Sequence, residues 1–163
     1  MPATDKQLGG RGNVWGTIKE ATELDNLGRL AGLGMTRWAK MTYDFTVDGG
    51  AIGTLTPANS PLIPVGAIVF GGILDVTTIL ASGGGATVGL GFGSGAQVAS
   101  LLAPAAFGGA PWSTTGLKAL IPVFTAASSV KVAADTRLTL TIAAGTLTGG
   151  KFDVNICYFQ GNL

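Results

Sequence analysis

The sequence predicts an all-β fold: a single β-sandwich or jelly-roll domain of about eight strands, preceded by an extended, partly helical N-terminal arm. Three observations lead there. Apolar and polar residues alternate at period two along several stretches, glycine-rich turn signals recur at short intervals, and charge is concentrated in the first quarter of the chain. Of 163 residues, 47% are hydrophobic and only 12% charged, with 27 glycines and 7 prolines. That length allows one domain with its own core plus an appendage. So much glycine and proline leaves little room for long helices.

The arm comes first. Residues 1–40 carry Lys6, Arg11, Lys19, Arg29, Arg37 and Lys40 with Asp5, Glu20, Glu23 and Asp25, more than half of all the charges. The shift in composition places a boundary near Lys40, giving an arm over 1–40 and a β domain over 41–163. "LGGRGN" is flexible by composition. "TIKEATELDNL" offers two or three helical turns, with Thr17 as N-cap, Glu20 at the capping-box position and Gly28 as the stop. Ile18, Ala21, Leu24, Leu27, Leu30 and Leu33 recur every three residues, so their stripe drifts around a helix instead of holding one face. A segment with so little means of covering its own leucines is expected to order against a partner.

Strands follow. "KMTYDFTVDGG" sets Met41, Tyr43, Phe45 and Val47 on one face, with Thr42, Asp44, Thr46 and Asp48 on the other. "VGAIVFGGILDVTTIL" is more continuously apolar and predicts one or two central strands. "TRLTLTIAAG" opposes Leu138, Leu140 and Ile142 to Arg137, Thr139 and Thr141. "GGKFDVNICYF" opposes Phe152, Val154, Ile156 and Tyr158 to Asp153, Asn155 and Cys157. Turn signals stand at Gly49-Gly50, Asn59–Pro61, Gly83–Gly85, Gly108-Gly109 and Gly149-Gly150. This spacing is that of a sandwich or jelly roll.

"GGGATVGLGFGSG" resembles a phosphate-binding loop but fails as one. Ser94 stands where the third glycine of a dinucleotide fingerprint belongs, and no Lys follows as a P-loop requires. Period two instead sets Val88, Leu90 and Phe92 toward a core and leaves Gly89, Gly91 and Gly93 as a nearly bare face. Glycine inside a strand marks a close approach by another backbone or a ligand. The bare face therefore reads as a bend between sheets or as a surface packed by a partner, with a nucleotide site the weakest option.

Chemistry is sparse. The sequence contains no histidine, which removes the commonest general base and metal ligand. Cys157 is the one cysteine and reads as a buried structural thiol, because nothing is at hand to activate it. Asp44 and Asp48, four residues apart on an expected strand, would stand about 13 Å apart, too far for paired chemistry. Glutamate is absent after Glu23, and neither a zinc nor a calcium motif occurs. Ser113, Thr114 and Thr115 have no base beside them in sequence. These observations predict a non-enzymatic protein with no cofactor and no metal. A formal charge of +1 argues against a nucleic-acid partner. The stretch from Pro61 to Leu74 is too short and too interrupted to span a membrane, and "MPATDKQLGG" lacks the apolar segment of a leader. Low charge suggests a subunit of an assembly.

Aromatic residues supply the candidate contacts. Trp112 reads as a core or loop plug, with an exposed recognition role as the alternative. Trp15 and Trp38 sit in the charged arm beside Arg11 and Arg37, residue types enriched at binding hot spots. The candidate partner-binding set is therefore Arg11, Trp15, Ile18, Leu24, Leu27, Arg37 and Trp38, against the plainer reading that they pack back on the domain.

The phrases "MTYDFTVDGGAIGTLT", "PVGAIVFGGILDVTTIL", "APWSTTGLKALIPV" and "LTLTIAAGTLTGGKFDVNICYF" give residues 41–160 a resemblance to a known group. It resembles small virion proteins of tailed bacteriophages, of head-decoration or head-fibre type. The resemblance implies a compact β domain, usually a homotrimer, on the outside of the phage head between hexamers of the major capsid protein. It implies a cement function in the virion after synthesis in the host cytoplasm, with the arm gripping capsid or a neighbouring protomer. A fibre-head or adhesion module that binds host glycan or receptor through Trp112, Asp153 and Asn155 is the alternative. A tail-tube subunit is weaker, because no helix shows after residue 40.

Overall fold

The protein is described here from a computed structural model, which covers residues 36–93 and 95–160. Its elements are β1 (Arg37–Asp44), a helical turn α1 (Phe45–Asp48), β2 (Gly53–Leu55), β3 (Leu62–Ile63), β4 (Ile68–Ser82) and β5 (Thr87–Phe92). Then come β6 (Leu102–Ala106), β7 (Gly116–Val123), β8 (Val130–Lys131), β9 (Thr136–Ala143) and β10 (Leu147–Phe159). One sheet runs β1-β10-β4-β7, with β8 also on β4; the other runs β2-β9-β5-β6, with β3 on β9. The pairing is antiparallel and nested: β1 with β10, β2 with β9, β4 with β7, β5 with β6. The expected all-β sandwich is the observed fold.

Alternation explains how the layers meet. Met41, Tyr43, Leu74, Val76, Phe152, Val154 and Ile156 point inward from the first sheet. Val88, Leu90, Phe92, Leu138, Leu140 and Ile142 point inward from the second and join the same core cluster. Trp112 links the two layers. It is fully buried, its Nε1 donates to the Val88 carbonyl at 3.2 Å, and its ring centroid lies 5.1 Å from that of Phe152. The plug reading of Trp112 holds, and an exposed recognition role is ruled out.

Three details differ from expectation. Alternation on the first strand stops at Asp44, where the chain makes a helical turn and leaves Val47 72% exposed. The cause is local hydrogen bonding that competes with the ladder. Asp44 accepts from the Thr46 N–H at 3.0 Å, while Asp48 accepts from the Asp44 N–H at 3.0 Å and from the Ala58 N–H at 3.1 Å. The two aspartates are therefore brought together at a turn rather than spread along a strand. Next, "VGAIVFGGILDVTTIL" forms one long strand rather than two. Last, Gly149-Gly150 lies inside β10, where the pairing register shifts, instead of forming a turn.

The glycine face of β5 has its own explanation. A Cβ on Gly91 would collide with the Gln97 carbonyl, and one on Gly89 would lie 3.2 Å from the Leu102 carbonyl oxygen. Phe92 donates to Gln97 at 2.8 Å and Leu101 donates to Leu90 at 3.0 Å. The stretch from Gln97 to Pro104 thus lies directly on the bare face. The approaching backbone is the chain's own, so the face is neither a bend between sheets nor open to a partner or nucleotide.

Candidate interaction surface

The outer face of the first sheet is organised by the same alternation. With Ala39, Met41 and Tyr43 turned inward, Trp38, Lys40, Thr42 and Asp44 turn outward. Their partners on β10 are Cys157, Asn155, Asp153 and Lys151. The rows continue onto β4 as Gly71, Ile73 and Asp75, and onto β7 as Val123, Ala119 and Leu117. This face has a polar end and an apolar end.

At the polar end Lys40 pairs with Asp153 at 2.8 Å, and Lys151 with Asp44 at 2.9 Å. Thr42 donates to Asp153 at 2.5 Å. Hydrogen bonding from Thr46, then the Lys151 ammonium, hold the Asp44 carboxyl down at about 2. Partial burial pushes Asp153 upward, but Lys40 and Thr42 outweigh it and leave that carboxyl below its ordinary value. Behind this row burial, then the nearby Asp48 and Asp44 charges, push the Tyr43 phenol up to about 12. Its hydroxyl donates to the Gly49 carbonyl at 2.8 Å, so the group is a structural strut.

The apolar end is built on a bulge. Tyr158 pairs with Val69 and Cys157 with Gly71, so Phe70 is an extra residue on β4. The bulge frees Phe70 to join an outer cluster. Phe159 stacks on it at 4.5 Å, and Phe124 meets it edge-on at 5.7 Å. Phe124 holds φ at +59°, and its ring occupies the space that a side chain on Gly71 would need. Beside this cluster lies a groove of ≈ 340 Å³ bounded by Ile73, Leu117, Ala119, Pro122, Val123 and Phe124. Leu117 is 71% exposed and Phe124 61%. Large apolar surface left in water on this scale is characteristic of an interaction surface.

Of the residues singled out from sequence, Arg37 and Trp38 lie at the start of β1, and Trp38 is 62% exposed on this face. Arg11, Trp15, Ile18, Leu24 and Leu27 lie outside the described residues. Because β1 begins at Arg37, these last two candidates of the arm's set are strand residues of the first sheet. The alternative glycan set is not assembled: Trp112 is buried, and Asp153 is engaged by Lys40 and Thr42. Sequence reasoning missed Phe70, Phe124, Phe159, Leu117 and Val123. Their signal was the apolar run Ile68–Leu74 at the start of a long strand, followed by "GLKALIPV", which is also apolar on its outward side.

No arrangement for catalysis is found among the described residues. Cys157 is buried, and burial raises its thiol pKa. Among the described residues no three His, Cys, Asp or Glu side chains group to hold a metal, and no helix is long and apolar enough to cross a membrane. The surface is suited to covering another apolar surface.

No protein-family model matches the sequence, and no curated protein matches it. Solved structures do resemble its fold. A chain of the acidic stable capsid structure of Helicobacter pylori bacteriophage KHP30 is 13% identical, with a TM-score of 0.54, over 78% of this chain and 89% of that one. A chain of the capsid of Ralstonia phage GP4 is 21% identical, with a TM-score of 0.53, over 80% and 87%. At such identities the likeness is one of fold.

Proposed function

We propose that the chain is a non-enzymatic structural protein of a bacteriophage virion and, within that role, a decoration (cement) protein on the outside of the head. The observation that carries this reading is the likeness to chains from two phage capsids, which spans nearly the whole of those chains. The nested strand pairing, read as a jelly roll, is an architecture that viral capsid domains use. The large apolar face, with no catalytic arrangement among the described residues, fits a protein whose work is contact.

The mechanism is linkage. A protein that binds only the assembled shell shifts the balance toward the assembled state by mass action. Residues 1–35, with Arg11, Trp15, Ile18, Leu24 and Leu27 as contacts, add a tethered second grip on capsid or a neighbouring protomer, raising avidity through effective concentration. The major capsid protein is the partner. Imaging of shells lacking this chain, before and after the purified chain is added, tests the proposal. Many copies spread over the outer surface, with raised thermal resistance of the shell, are expected. A few copies at one vertex or on the tail overturn it.

A further inference from the structure

We infer that the apolar outer face of the first sheet is the surface through which copies of this chain associate with one another. The inference does not depend on where in a particle the protein sits.

Three observations carry it. The first is the chemistry of the groove: Ile73, Leu117, Ala119, Pro122, Val123 and Phe124 offer no side-chain carboxylate, amide or hydroxyl. The Nζ of nearby Lys118 is already given to the Thr115 carbonyl at 2.9 Å. A sugar or an ion would find no side-chain polar partners there, whereas an apolar protein surface would. The second is Phe124, a non-glycine residue held at φ +59° with its ring exposed over the sheet. Strain of that kind persists where surrounding structure enforces it and is concentrated at functional positions. Here the Phe124 N–H donates to the Phe70 carbonyl at 2.6 Å and fixes the ring in place.

The third observation selects the occupant. Lys131 pairs across from Ile68 at one end of β4, and Asp75 lies on the outer face at mid-strand, opposite Leu117, where the apolar part of the face ends. Those positions are seven steps apart along β4, about 20 Å once the bulge at Phe70 is allowed for. Neither side chain takes part in the ion pairs of the described residues. The apolar strip is thus bracketed by opposite charges, which makes it complementary to itself. A second copy laid on it end for end, a two-fold contact in place of the threefold one that the resemblance implies, brings Lys131 to the partner's Asp75 and Asp75 to the partner's Lys131, with the aromatic and aliphatic residues between. Reciprocal contacts of this kind define a self-complementary interface.

Sedimentation of the purified full chain over a range of concentrations tests the inference. Wild type is expected to self-associate. Leu117→Asp on β7 should give monomers with an unchanged melting temperature, because that side chain is 71% exposed. Phe124→Asp should also give monomers, at a lowered melting temperature because its ring packs on Phe70 and over Gly71. Asp75→Lys or Lys131→Asp alone should weaken association about tenfold at low salt, and the double exchange should restore it. A monomeric wild-type chain overturns the inference, as does an oligomer whose size none of these variants alters. Single charge variants that the double exchange fails to rescue also overturn it.

Discussion

The two outer faces of this sandwich are both made by antiparallel strands and are finished in opposite ways. On the second sheet Gly89 and Gly91 remove side chains so that the chain's own segment from Gln97 to Pro104 can lie against the strand. Thr139, 2% exposed, donates to the Gly93 carbonyl at 3.2 Å and completes the cover. On the first sheet a bulge at Phe70 and a strained Phe124 gather aromatic side chains outward, and no other described part of the chain covers them. One face is closed by intramolecular packing; the other has the composition of an interface. Apolar strand sequence alone therefore does not separate core from contact surface. What separates them, among the described residues, is whether a neighbouring segment of the chain lies over the face.

Mutations can break that contrast, beginning with the residue that joins the layers. Trp112→Ala removes a buried ring that touches both sheets, and a loss of about 3–5 kcal/mol in denaturant unfolding is expected. Gly91→Val drives a side chain into the Gln97–Val98 backbone and should cost about 1–3 kcal/mol, or more if the covering segment is displaced. Neither change should alter the contact properties of the first sheet in the fraction that remains folded. Leu117→Thr should do the reverse. Stability should stay within about 0.5 kcal/mol of wild type, while sedimentation shows weaker association.

The smallest effect sharpens the picture of the polar end. Asp44 at about 2 and the lowered Asp153 are both held ionised more strongly when folded than when unfolded. Their contribution is therefore present above the unfolded carboxylate value near pH 4 and is lost as pH falls toward about 2. Asp44→Asn should flatten part of that acid limb in thermal melts recorded between those limits. An unchanged pH dependence would separate this ion pair from stability.

Much of the fold is legible in the chain because alternation is a direct record of burial on half-covered strands. Leu138, Leu140 and Ile142, then Phe152, Val154 and Ile156, point where period two places them. The pattern fails where side chains compete with the ladder. Asp44, Thr46 and Asp48 satisfy backbone groups locally and turn an expected strand end into a helical turn. "VGAIVFGGILDVTTIL" leaves one strand or two open, and β4 runs unbroken through Gly71-Gly72, with the Phe124 ring in the space above Gly71. The candidate surface was legible only at its edge, where Arg37 and Trp38 stand out by residue type. Its centre, formed by Phe70, Phe124 and Phe159, draws residues from three strand regions far apart in sequence. Only the antiparallel pairing and the bulge bring them together.

The most direct test is an image of the intact particle at a resolution that traces strands. The account predicts this sandwich on the outside of the shell, with Phe124, Leu117 and Trp38 covered by neighbouring protein and the Gly89–Gly91 side still closed by the chain's own Gln97–Pro104 segment. Density that leaves the Phe124 face bare in solvent, or that lifts the Gln97–Pro104 segment away to admit a neighbour, would contradict it.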